Sequence, residues 1–178
     1  MPDASRATRL PVRRLPGTLD ADSLALGALP RVDYLDIYAA TVGNNASLED
    51  VAQQVLGGRP PGLMRLRDAL VRPFGLKTSP RGPRKRPSFV VGQRIGLFTL
   101  FARSQDEMLL GENDRHLDFR VCLRVRGDGL ATLATLVRFR NVWGRAYFLL
   151  IRPFHALVVK RMLDRAALPL NAVSEAAH

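Results

Sequence analysis

The stretch Leu117–Val125 constrains the fold more than any other part of the chain. Its odd positions are all apolar (Leu117, Phe119, Val121, Leu123, Val125), while the even ones read Asp118, Arg120, Cys122 and Arg124. Successive side chains of a strand point to opposite faces, so this strict alternation specifies a half-buried strand. Some other element must cover its apolar face. Carried backwards on the same period, the polar face also takes in His116, Asp114 and Glu112.

The surrounding segments read as further strands. Gly127-Asp128-Gly129 is the strongest hairpin signal in the chain and leads into a strand over 130–139. Upstream, residues 95–102 are apolar on both faces, and Ser104-Gln105-Asp106 turns them into a strand over 107–111. A short strand is predicted at 89–91. Consecutive strands joined by tight turns make an antiparallel meander, which can leave one face wet. An earlier strand is predicted over 32–42, ended by Gly43-Asn44-Asn45. Ser47, three residues before Asp50, then opens a helix to about Leu56 in a capping-box-like arrangement. Leu63, Leu66, Leu70 and Val71 recur at helical spacing and predict a second helix over 61–71. A long helix is predicted over 142–166. Its apolar stripe holds Trp143, Tyr147, Leu150, Ile151, Phe154, Leu157 and Val158, with Arg145, Arg152 and Lys160 opposite. The apolar run within it is too short, and too interrupted by Arg152, Pro153 and His155, to cross a bilayer.

At 178 residues the chain suits one domain. Three parts are expected: a partly extended arm over 1–30, a single domain over 31–168, and a tail over 169–178. The formal charge of +11 favours anionic partners. The excess is local, however: residues 59–94 hold ten basic side chains and one acid, Asp68. Within them, 76–88 reads as a basic loop with three prolines. It lacks the interleaved aromatics that stack on bases, which disfavours nucleic acid. The single Cys122 excludes an internal disulfide and a multi-cysteine metal site. The N-terminal arginines are followed by no apolar core of signal-peptide length, so cytoplasmic residence is expected.

A curved meander with one apolar face and a long helix with one apolar stripe pack most economically on each other. The expected class is therefore α+β, a helix-grip layout in which a curved antiparallel sheet wraps a long C-terminal helix, with two short helices after the first strand. That layout resembles the START-like and Bet v 1-like (SRPBCC) superfamily, whose sheet and helix usually enclose a cavity. Four strings resemble an uncharacterised bacterial DUF family: Pro61-Gly62 through Arg67-Asp68, Arg72-Pro73-Phe74-Gly75-Leu76, Gly111 to Phe119, and Leu149-Leu150-Ile151-Arg152-Pro153-Phe154-His155. Members of that family stand alone or are fused to NmrA-like Rossmann oxidoreductases, which implies a partner oxidoreductase. The resemblance brings no catalytic residue with it.

The charged positions Glu112 to Arg120 admit two readings. His116 oriented by Asp114 or Asp118 could act as a general base, with Arg120 holding an anionic substrate. The alternating charges suit a solvated convex sheet face better. His116 and Asp118 are therefore minor catalytic candidates. A metal centre there is weaker still, because residues in line on one strand cannot surround an ion. No phosphate-cradling loop, nucleophile elbow or zinc motif is present, and no cofactor is expected. The leading expectation is a cavity for a hydrophobic small molecule or lipid between sheet and helix. Its lining would be Phe119, Val121, Trp143, Tyr147, Ile151, Phe154 and His155, the last more simply read as a packing histidine. The alternatives are peripheral binding to an acidic membrane surface through 59–94, and a cyclase- or aromatase-like enzyme.

Overall fold

The computed structural model describes residues 11–57, 89–95 and 98–167. The strands are β1 (Arg13–Leu15), β2 (Tyr34–Thr41), β3 (Arg94–Ile95), β4 (Phe98–Arg103), β5 (Glu107–Asn113), β6 (Leu117–Val125) and β7 (Leu130–Phe139). They form one antiparallel sheet in the order β1-β2-β7-β6-β5-β4-β3, curved and unclosed. Helix α1 (Leu48–Gly57) follows β2, and α2 (Val142–Asp164) ends the described chain. The helix-grip layout expected from the alternation is the one observed. The second helix expected over 61–71 and the basic loop at 76–88 lie outside the described residues.

Local chemistry accounts for the turns. Ser47 accepts from the Asp50 amide and donates to its carboxylate, closing the first turn of α1. Ser104 donates to Asp106 and accepts from the Glu107 amide, which sets the β4–β5 hairpin. Between β6 and β7, Gly129 takes a φ of +77°, the left-handed conformation that only glycine adopts cheaply. The region 95–102 is not one strand. Its pairing splits it into β3 and β4, with Ile95 opposite Phe98. Residues 90–93 make a turn rather than a strand, with the Gln93 amide bonded to the Val90 carbonyl.

The N-terminal arm does more than extend. Arg13–Leu15 adds an edge strand to β2, and the following residues cross the sheet's outer face. There Leu15, Leu19, Leu24, Ala25 and Leu29 pack on Ile37, Leu109, Cys122, Ala134 and Leu136. The face expected to be solvated is therefore covered. Asp118 is 2% exposed, Arg120 7% and Cys122 2%.

The inner face carries the main core. Tyr38, Leu100, Leu110, Leu123 and Leu133 meet Val51 and Val55 of α1 and Val159 and Leu163 of α2. Helix α2 packs chiefly across β2 and β7, to one side of the sheet's central strand β6. Its N-terminus is fixed at the β5–β6 turn. Asn141 caps it by accepting from the Gly144 amide at 3.0 Å, and the Arg140 amide donates to the His116 carbonyl at 2.9 Å. Gly144 lies against that same carbonyl, where a Cβ would collide with backbone. Gly144→Ala is expected to cost about 3 kcal/mol, the upper range for overpacking a site that cannot yield. Urea unfolding measures it, and an unchanged midpoint would show that the helix start is not held by this contact.

Candidate functional site

The inner face is covered by α2 over β2 and β7 and by α1, whose Val51 and Val55 pack with Leu100, Leu110 and Leu123. The part under α2 is the closed half, and the flank where Phe98, Phe119 and Ile151 stay half-buried is the open one. The closed half is built on β2. Its alternation places Tyr34, Asp36, Tyr38 and Ala40 on one face, so a carboxylate enters the interior between apolar neighbours. The Asp36 side chain is fully buried, with His155 Nε2 of α2 at 3.4 Å and the Tyr34 hydroxyl donating at 2.7 Å. Thr135 stands directly opposite in the ladder. Burial works to raise the Asp36 pKa, but His155, Tyr34 and Thr135 together outweigh it and hold the carboxyl below its ordinary value. Tyr34 is pushed the other way, to about 12, first by burial and then by the carboxylate it donates to. Arg152 stacks over the Tyr34 ring at 5.5 Å and Lys160 over Tyr38 at 6.0 Å, so this flank of α2 faces β2.

The opposite flank of α2 faces the open half. Tyr147 is buried there and Ile151 half-buried, both packed with Leu117 and Phe119. Phe119 meets Phe98 of β4 edge-to-face at 5.7 Å, and both remain half-buried. Further round the helix, Trp143 is 62% exposed, Leu150 50% and Phe154 38%. One end of this apolar strip is polar: Glu112, opposite Phe119 in the ladder, lies 3.3 Å from the Arg94 guanidinium.

The residues singled out from sequence are thus dispersed. Phe119, Tyr147 and Ile151 converge on the open half, and Val121 is buried in the core beneath it. His155 turns to Asp36 instead, Trp143 faces outward, and Phe154, seven residues on from Tyr147 and so on the same flank, stays 38% exposed at its outer edge. The charged set is not on one face. Strand β5 ends at Asn113 and β6 begins at Leu117, so the turn between them resets the alternation. Glu112 consequently points inward and Asp118 outward. His116 stays in that turn, its Nδ1 3.2 Å from Asn141 Nδ2 at the start of α2. Asp118 is bound by Arg140 at 2.9 Å and Arg138 at 3.5 Å on the far face. His116 and Asp118 therefore form no acid–base pair.

Reading sequence missed Tyr34, Asp36 and Thr135. The period of two through Tyr34, Asp36 and Tyr38 was the available signal. Cys122, on the outer face, donates to Glu107 at 2.7 Å, and burial pushes its pKa well up, which keeps the thiol protonated and inert. Among the described residues no three His, Cys, Asp or Glu side chains gather as metal ligands, and no helix is long and apolar enough to cross a membrane.

These features define an α+β domain with a helix laid off-centre on a curved sheet. The chain belongs to the family described as "Protein of unknown function (DUF2867)", whose model matches residues 28–162. Searches among curated proteins and among solved structures found no match.

The closed half yields a pH test. Because the folded-state pKa of Asp36 lies below its ordinary 3.8, its ionised form stabilises the fold above that value. The contribution is lost as pH falls through the lower, folded-state value. Asp36→Asn is expected to cost about 2 kcal/mol at neutral pH, the range for hydrogen bonds to a charged group. The gap to wild type should narrow below about pH 4. Urea midpoints across that range check both, and a pH-independent gap would contradict the ionised carboxylate.

Proposed function

We propose that the protein binds a hydrophobic small molecule or acyl chain between the inner face of the sheet and α2, on the open side over β4 to β6. One observation carries the reading. Apolar side chains of the sheet (Phe98, Phe119) and of the helix flank (Ile151, Phe154) stay partly exposed, and Phe119 and Ile151 pack against the same cluster. Partly exposed aromatic side chains from two elements are what small-molecule sites are lined with. Removing each such side chain from water contributes about 1.5–3 kcal/mol. The polar end of the ligand would meet the Arg94–Glu112 pair. Placement in the START-like, SRPBCC superfamily belongs to the same proposal, since sheet and helix enclose the ligand there. A cyclase- or aromatase-like activity would draw on His116 or His155, and His116 sits in the β5–β6 turn beside Asn141 while the His155 imidazole is already engaged by Asp36.

The chain's single tryptophan, Trp143, stands on the exposed flank of α2 and serves as the reporter. Titration with cis-parinaric acid, a fluorescent acyl chain, should transfer energy from Trp143 and saturate at one equivalent. Phe154→Asp, at a position exposed enough to leave folding intact, should weaken binding about tenfold, as should Phe119→Asp where it folds. Absence of saturable transfer, or equal affinity of Phe154→Asp, would overturn the proposal.

A further inference from the structure

We infer that the outward face of α2 is a docking surface for an anionic lipid bilayer. Val142 is 75% exposed, Trp143 and Leu149 62%, Leu150 50%, Leu157 42% and Phe154 38%. At 3.6 residues per turn these six fall within one arc of the helix, together with Ala146 and Pro153, which are also exposed. The stripe runs about 22 Å from Val142 to Leu157 at the standard rise. No charged side chain interrupts the arc over that length. A contiguous exposed apolar surface of this kind marks a protein or membrane contact. Phe154 lies where this face borders the ligand strip; the other five belong to the outward face alone.

The charges round the stripe select its occupant. Arg145 and Arg152, seven residues apart, edge it on the side toward β2, and Lys160 and Arg161 close its C-terminal end. Helix α2 holds no acidic residue before Asp164. Three of these cations lie over rings rather than carboxylates: Arg145 over Phe139 at 5.8 Å, Arg152 over Tyr34 and Lys160 over Tyr38. Their charge is therefore still available to an anion. A second copy laid on the same face would set these cations against one another, since a two-fold contact pairs like with like. One helix face is also convex, and it offers no pocket for the buried anchors on which protein interfaces rely. A bilayer matches both parts: its acyl boundary takes the aliphatic stripe, and its phosphates meet the flanking cations. Trp143, at the start of the stripe, suits the interface between the two, where an indole keeps its ring apolar and its N–H wet. The helix lies on such a surface and does not cross it, because its other side is buried on the sheet and no described helix is apolar enough to span. The ten basic side chains of residues 59–94, against one acid, add to the same attraction.

Vesicles of phosphatidylcholine alone, and of equal parts phosphatidylcholine and phosphatidylglycerol, test this with the full chain. At low salt the mixed vesicles should sediment the protein, shift Trp143 emission to the blue, and quench it when their tails are brominated. Vesicles of phosphatidylcholine alone should bind about tenfold more weakly or worse. Leu149→Asp, at an exposed position outside the ligand strip, should weaken binding to the mixed vesicles about tenfold. Its unfolding midpoint and its affinity for cis-parinaric acid should match wild type, which separates this surface from the ligand site. No sedimentation at low salt, binding without any change in Trp143 emission, or equal binding of Leu149→Asp would each overturn the inference. So would a lipid-free dimer that Leu149→Asp dissociates, since the face would then be taken by a second copy.

Discussion

Everything in this fold depends on how one helix is held against one curved face. An unclosed sheet has an apolar inner surface that its own strands cannot cover, and α2 supplies most of the cover. Apolar packing alone would let a helix slide or rotate, because α2 is apolar on nearly every side between residues 146 and 159. Two polar contacts remove that freedom. At the start, Gly144 brings the helix backbone against the His116 carbonyl. Three turns on, His155 meets the buried Asp36. An unpaired carboxylate in that position would cost several kcal/mol, so the pair penalises every other placement of the helix. A contact of this kind specifies where the helix goes more than it adds to stability.

Pinning α2 over β2 and β7 has a consequence for the rest of the inner face. The helix covers one side, α1 covers Leu100, Leu110 and Leu123 on the other, and Phe98 and Phe119 stay only half-covered. The outer face is closed by different means. The N-terminal arm crosses it and buries Cys122 and Ala134, while its Ser23 hydroxyl and Leu24 amide donate to the buried Glu107. The two faces therefore differ: the inner one keeps an apolar strip with the Arg94–Glu112 pair at its rim, and the outer one is sealed by the arm over a set of paired charges. Arg120, whose guanidinium lies 4.0 Å over Phe101, shows how the outer face accommodates charge without opening. Its side chain fills the space that Gly111 leaves empty.

Much of the architecture was legible because strand and turn signals are local. The alternation from Leu117 to Val125 named the strand and its inner face correctly, and Gly127-Asp128-Gly129 marked the hairpin. The failures share a physical cause, which is loss of phase. A three-residue polar turn between Asn113 and Leu117 continues the appearance of alternation while reversing the faces, so Glu112 and Asp118 were wrongly placed together. On α2 an all-round apolar run leaves the buried side undetermined, and Trp143 was expected inward when it faces out. Asp36 and His155 are 119 residues apart in sequence, and nothing local to either announces the other. The arm's leucines carry no period at all, so their cover of the outer face was invisible.

Amide hydrogen exchange with and without cis-parinaric acid tests the division of the inner face most directly, because exchange reports local opening strand by strand. With the open half as the ligand site, bound acyl chain slows exchange in Phe98–Arg103, Glu107–Asn113 and the middle turns of α2. It leaves Tyr34–Thr41, already closed by the Asp36–His155 pair, unchanged. Protection centred on Tyr34–Thr41, or no protection anywhere at saturating ligand, would contradict that division.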